Sequence, residues 1–202
     1  MAIKLNKYNL PDIEILADNN SSTSFYVWIP DKMYLILGRS NNVESSLLIN
    51  RLKKDSIKVF KRPSGGETVV LTPRTLVISA VIISDEFKNT RKYFKIFNQK
   101  IIDVLKKHGI DDLSHKGISD ITVNNRKVLG SAIYRTKGKL FYHSVLNISE
   151  PVSTIEKFIK HPSREPDYRN GRKHSEFVTS LYAEGFKKSI VELKNTIEKI
   201  EL

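Results

Sequence analysis

The chain has 202 residues, no cysteine, and a formal net charge of +12 from 34 Lys and Arg set against 22 Asp and Glu. This length suits one domain over residues 1–202. The missing cysteine excludes disulfides, thiolate-held zinc and every thiol nucleophile. The 5 His are well separated and suggest no metal cluster. No apolar stretch reaches the ~18 residues of a membrane span, and Met1 to Lys7 lacks the apolar run of a secretion signal. A cytoplasmic protein away from membranes is the expectation. The charge favours an acidic partner. Nucleic acid is not the expected one, because the lysines are scattered through predicted helices with no basic tail, zinc-finger spacing or RNA-recognition strand.

In chain order, the first 24 residues are weakly patterned, with a loop at 19–24. Phe25 to Ile29 and Met33 to Leu37 read as strands separated by the Pro30-Asp-Lys32 turn. A loop from Gly38 leads to a helix near 43–54, then a strand over Ile57 to Phe60. The Pro63-Ser-Gly-Gly66 turn precedes a strand over Thr68 to Leu71, and the β-branched run from Leu76 to Ser84 reads as a buried strand. The clearest helix covers 90–108, with Tyr93, Phe94, Phe97, Ile101, Val104 and Leu105 on one face and Gly109 as its stop. Ile121 to Val123, Lys127 to Tyr134 and Leu140 to Ile148 predict a three-strand meander through Asn124-Asn125 and Lys137-Gly138 turns. Pro151 opens a short helix, 161–172 is a polar loop, and Phe186, Ile190, Leu193, Ile197 and Ile200 mark a closing amphipathic helix. The pattern predicts an α+β fold with a mixed, mainly antiparallel β-sheet packed against helices.

Two turns concentrate the chemistry. Lys127 sits between apolar strand stretches, so its ammonium is held for an anion. Lys61-Arg-Pro-Ser-Gly-Gly66 supplies a second cationic, glycine-containing turn. Together they point to a phosphate-bearing ligand. Read singly, Lys127 is a solvated strand lysine, Gly65-Gly66 a hairpin loop, and Arg62 a member of a surface charge pair. His143 suits a core position as well as a site. Ser64 has no recognisable His/Asp partner in the sequence and is not read as a nucleophile.

Three segments in register resemble the lipoate–protein ligase family of the biotin/lipoate ligase superfamily. Phe60-Lys-Arg-Pro-Ser-Gly-Gly-Glu-Thr-Val-Val70 is similar to its Arg-Arg-x-Ser-Gly-Gly-Gly strand-turn-strand. Ser119-Asp-Ile-Thr-Val-Asn-Asn-Arg-Lys-Val-Leu-Gly-Ser-Ala132 is similar to its Asp…Lys-x-x-Gly-x-Ala hairpin, and Leu140 to Leu146 to its His-His-Gly-Thr-Leu strand. The resemblance implies activation of lipoate or octanoate with ATP and Mg²⁺ to an acyl adenylate, then transfer to a lysine of a lipoyl domain. It implies that Lys127 is catalytic. Arg62, Ser64, Gly65, Gly66, Thr68, Val69, Val70, Asp120, Gly130, Ala132 and His143 would bind substrates, with Asp120 on the adenosine side or on Mg²⁺. Acidic lipoyl domains would be the partners, steered by the basic surface. No large C-terminal accessory domain is expected after it; by the resemblance, a separate accessory subunit supplies that part or the chain acts alone as compact members do.

The chain departs from the pattern at Glu67, where a third glycine is expected, and at Lys61, Leu71, Thr72 and Ser144. These departures keep an alternative open: a diverged homologue that binds lipoyl ligand or lipoyl domains without turnover. Related octanoyl transferases work through a cysteine thioester, a route closed to this chain.

Overall fold

The computed structural model describes residues 3–18, 23–55, 57–83, 89–136 and 138–200. Residues 19–22 of the expected first loop, Ser84, and Lys137 of the expected turn lie outside them. The first half supplies β1 (Leu5–Lys7), α1 (Ile13–Ala17), β2 (Ser24–Trp28), β3 (Tyr34–Leu37), α2 (Val43–Ser46), α3 (Ile49–Asp55), β4 (Lys58–Lys61), β5 (Val69–Leu71) and β6 (Thr75–Ile83). The second half supplies α4 (Arg91–Lys107), β7 (Leu113–Lys116), β8 (Asp120–Val123), β9 (Arg126–Thr136), β10 (Lys139–Asn147), α5 (Val152–Phe158), a 3₁₀ turn (Asp167–Arg169), α6 (His174–Phe177) and α7 (Ile190–Ile197).

Two sheets carry the α+β fold. The larger is antiparallel in the order β2-β6-β10-β9-β8-β7, and the smaller is mixed in the order β1-β4-β3-β5. Alternation along the strands sorts residues between the two faces of the large sheet. Leu76, Ile78, Ile121, Leu129 and Leu146 pack in one core with Ile101 and Leu105 of α4 and Leu193 of α7. From the other face, Val77 joins Ile36, Phe60 and Leu71 of the small sheet. A third core sets Leu35 and Val59 against Leu47, Leu52 and Phe158. Helix α4 ends as expected at Gly109, whose φ is +80°. The Gly109 N–H donates to Lys106 O and the Ile110 N–H to Leu105 O, at 2.9 and 3.2 Å. This pair of bonds is the Schellman ending.

Three expectations change. The helix near 43–54 is two helices, because Leu47 between them is extended, fully buried and bridged to Ile159. The closing helix begins at Ile190, where the Ser189 hydroxyl accepts from the Glu192 N–H; Phe186 belongs to the preceding turn through its N–H bond to Leu181 O. The 62–68 turn does not join a hairpin. It crosses the end of β3, which has β4 on one side and β5 on the other. β1, α1, β7 and α6 are additional elements of three to five residues.

Candidate active site

Asn124 and Asn125 close the β8–β9 hairpin with φ of 49° and 60°, the twist that a two-residue hairpin turn requires. The ladder then slips by one residue. Ile121 pairs with Leu129, but Thr122 pairs with Lys127, leaving Val128 as the extra residue of a β-bulge. In a regular strand, residues three apart face opposite sides. The bulge instead brings Lys127 to the face of Gly130 and Asp120. Lys127 Nζ stands 2.8 Å from Asp120 Oδ1, and the Tyr168 hydroxyl donates to Asp120 Oδ2 at 2.7 Å. A Cβ on Gly130 would meet Lys127 Cε and Nζ at 2.7 Å, so the ammonium lies where only a glycine leaves room. The lysine's main chain is tied on its other side, where the Thr179 N–H donates to Lys127 O at 2.9 Å. Burial, and then the Asp120 charge, raises the Tyr168 pKa, so Tyr168 stays a donor to the carboxylate.

Lys127 and Gly130 line a cavity of about 170 Å³. Val69, Val70, Val128, Val145 and Ile159 give it apolar walls. Lys160, His161, Arg164, Arg169 and His174 add cationic or titratable groups. Two buried polar atoms of its lining have no hydrogen-bond partner among the described residues: Thr68 Oγ1 and Arg169 Nη2. Arg169 is held by its Nε, which donates to Arg172 O at 2.9 Å and lies 3.3 Å from Glu165 Oε2. Its guanidinium lies over the Phe177 ring, 4.7 Å from the centroid. An unsatisfied buried guanidinium nitrogen is costly, and an anionic ligand would supply what it lacks. Burial, then Arg169 and His161, lowers the His174 pKa to about 4, which leaves that ring neutral at neutral pH.

Arg62 departs from its expected place on a phosphate. Its guanidinium is buried and spent on the loop itself: Nε donates to Ser64 Oγ at 3.0 Å, Nη2 to Gly65 O and Glu67 O at 2.7 and 2.8 Å, and Nη1 to Ile36 O at 3.2 Å. Burial pushes its pKa down to about 10. The arginine braces the turn from inside. Ser64 also has the partner that sequence reading missed. Its Oγ meets His143 Nε2 at 2.5 Å, and His143 Nδ1 faces Asp12 Oδ2 at 3.8 Å. Tyr8 and Ser79 donate to Asp12 at 2.7 and 2.9 Å. This Ser-His-Asp series is not a hydrolytic site, because Ser64 and Asp12 are wholly buried. Burial lowers the His143 pKa, as suits a neutral histidine linking the loop to the sheet. The missed member, Asp12, lies in the weakly patterned first segment.

Of the expected site residues, Thr68, Val69, Val70, Lys127 and Gly130 line the cavity, and Asp120 acts there through Lys127. Ala132 pairs with His143 on the same sheet face. Gly65 and Gly66 are exposed at the loop tip, outside the lining. The Gly66 carbonyl oxygen stands 1.8 Å from where a Cβ of Gly38 would be, so the two loops can meet only at that glycine. The expected Mg²⁺ role of Asp120 does not suit this arrangement. Both its oxygens are engaged, and no group of three or more His, Asp or Glu able to hold a metal occurs among the described residues. Apolar walls beside open donors on Arg169 and Thr68 suit an anionic ligand with an apolar part.

Residues 11–200 match the sequence model of the lipoyl protein ligase A/B catalytic domain. The chain belongs to that family. It is 30% identical over 139 residues to the lipoate-protein ligase LplJ of Bacillus subtilis, a stretch covering 67% of this chain and 39% of that protein. The chain thus spans well under half the length of the first curated relatives it matches. Its fold is similar to that of a bi-partite lipoate protein ligase from Thermoplasma acidophilum, described with its E2 lipoyl domain. That TM-score is 0.80 at 19% identity, over 98% of this chain and 82% of the other. A lipoate-protein ligase A bound with ATP gives a TM-score of 0.77 at 20% identity, over 98% and 83%. No helix among the described residues is long and apolar enough to cross a membrane.

Proposed function

We propose that the chain activates lipoate or octanoate with ATP to an acyl adenylate and passes the acyl group to a lysine of a lipoyl domain. The observation that carries this reading is the Lys127 ammonium, bound to Asp120 over Gly130 at the wall of a part-apolar cavity. Bringing a carboxylate to the α-phosphate sets like charges together, and a fixed cation between them stabilises the charge that builds at phosphorus. Lys127 takes that role. The acyl carboxylate oxygen bonds to the α-phosphorus and pyrophosphate leaves; then the acceptor amine attacks the acyl carbonyl and AMP leaves. Asp120 and Tyr168 keep the ammonium in place, so much of the acceleration is positioning. Arg169 Nη2 and Thr68 Oγ1 supply further donors for phosphate oxygens. Val69, Val70, Val128 and Val145 offer apolar contact to the substrates. The net charge of +12 steers an acidic lipoyl domain to the site. A separate accessory polypeptide, as in the bi-partite relative, is part of the same reading.

One feature favours a second reading, a homologue that binds without turnover. Glu67 lines the cavity, and Asn41 Nδ2 donates to its Oε2 at 3.2 Å. Its carboxylate stands near enough to act on Arg169, whose pKa is lowered by burial with Glu165 and Glu67 in opposition. A resident carboxylate there competes with an anionic substrate.

The test is incubation with ATP, Mg²⁺, lipoate or octanoate and a panel of lipoyl domains, followed by intact mass. An acyl adenylate and an acceptor mass gain support the ligase. Ligand binding without either product supports the silent binder.

A further inference from the structure

Beside the cationic groups, the cavity holds one buried acid. Ser149-Glu150-Pro151 follows the end of β10, and the Asn147 side chain clamps this corner. The Glu150 N–H donates to Asn147 Oδ1 at 2.8 Å, and Asn147 Nδ2 donates back to Glu150 O at 3.0 Å and to Thr179 O at 3.1 Å. With its main chain held on both sides, Glu150 points a carboxylate inward. The Thr72 hydroxyl donates to Oε2 at 2.6 Å. The other oxygen, Oε1, has no donor among the described residues, although Glu150 is only 7% exposed and lines the cavity.

That oxygen is not among the fully buried unpartnered atoms of the described residues, so it opens on the cavity and is free to accept from a ligand there. Of the cavity's cations, Lys127 is bound to Asp120 and Lys160 to Glu44 O at 2.6 Å, and none bonds to Glu150 among the described residues. A metal ion would need more oxygen ligands than this corner offers, since no metal-holding acidic group exists among the described residues. Of the two substrates of the activation step proposed above, the ionised acid, lipoate or octanoate, has no hydrogen-bond donor. ATP has the 6-amino group of adenine and two ribose hydroxyls. We infer that Glu150 is a specificity-determining residue of the cavity, its open oxygen accepting a hydrogen bond from the nucleoside part of the nucleotide. The assignment rests on the ATP reading of the site and adds the group that selects the nucleoside. Thr72, one of the departures from the family pattern, then serves to aim the carboxylate.

Calorimetric titration tests this with four probes: ATP, purine riboside triphosphate (which lacks the 6-amino group), 2′-deoxyATP and 3′-deoxyATP. Each is titrated into the wild-type chain, Glu150→Gln and Thr72→Val. A charge-assisted hydrogen bond predicts that Glu150→Gln weakens ATP about ten- to a hundredfold. The probe lacking the recognised donor binds wild type and Glu150→Gln alike, which tells amine from hydroxyl. Thr72→Val shows the same pattern with a smaller loss and guards against a folding defect in Glu150→Gln. Equal weakening of all four probes by Glu150→Gln, or no weakening of any, overturns the assignment and leaves the ligase reading standing. A wild-type chain that binds none of the probes and forms no acyl adenylate overturns both.

Discussion

Lys127 lies across Gly130 so closely that a methyl group on the glycine would sit 2.7 Å from both the Cε and the Nζ of the lysine. The two residues act as one device, the glycine vacating the space the ammonium fills. Gly130→Ala should therefore impair the chemistry without touching the reactive group. Misplacing a catalytic group by about 1 Å costs about a hundredfold. That loss is expected in acyl-adenylate formation, with the circular dichroism spectrum unchanged. Lys127→Ala should abolish adenylate formation with the fold retained; near-normal turnover in this variant would remove the ammonium from the mechanism, and near-normal turnover in Gly130→Ala would show that the lysine does not depend on the space above the glycine.

Ser64→Ala separates a structural serine from a nucleophilic one. The hydroxyl accepts from Arg62 and contacts His143 deep under the loop. Its loss leaves buried partners unsatisfied and should lower stability by about 1 to 3 kcal/mol, read as a shift in denaturant midpoint. Adenylate formation should fall far less than in Lys127→Ala. An equal collapse of activity in a normally stable variant would contradict the bracing role.

His174 makes stability depend on pH. Its pKa in the folded chain is about 4, below the unfolded histidine value of about 6.5. Between those values the unfolded chain binds more protons, so stability is full above about 6.5 and declines as pH falls toward about 4. Solvent screening of this part-exposed ring reduces the effect to about 1 kcal/mol. The melting temperature of wild type should fall relative to that of His174→Asn as pH drops through that window. Parallel curves would show that the ring titrates normally.

Glu67→Gly should act in two directions at once. It removes a carboxylate from the cavity and breaks the link to Asn41, which also accepts from the Gly38 N–H at 3.0 Å. Stability should fall by about 1 kcal/mol through the lost bond and the added backbone freedom. ATP affinity should rise severalfold as the repulsion is relieved. A glycine variant with weaker ATP binding would show that Glu67 helps to hold the substrate.

The long periodic elements were legible. The β-branched run of β6, the apolar face of α4 and the meander through Asn124-Asn125 follow from side-chain spacing and turn chemistry. What stayed hidden depends on contacts distant in sequence. Leu47 reads as helix, and an extended pairing with Ile159 overrides it. Arg62 reads as a phosphate ligand because a basic residue beside a glycine turn usually faces outward; carbonyls from β3 and from its own loop turn it inward. Asp12 and Glu150 are unremarkable acids until the fold brings His143 to one and Thr72 to the other. Lys127, Gly130 and Asp120 read as a motif in the sequence, but the slip that aligns them leaves no mark there.

That slip makes the register of the hairpin matter more than the kind of residue at its bulge. An unslipped ladder would pair Val128 with Thr122 and Lys127 with Val123, turning the lysine to the side packed on α4 and driving an ammonium in among Ile101 and Leu105. Exchanging Val128 for another apolar residue should be tolerated as long as the slip is kept. In this chain, an irregularity of pairing along one short stretch of strand is itself a functional constraint.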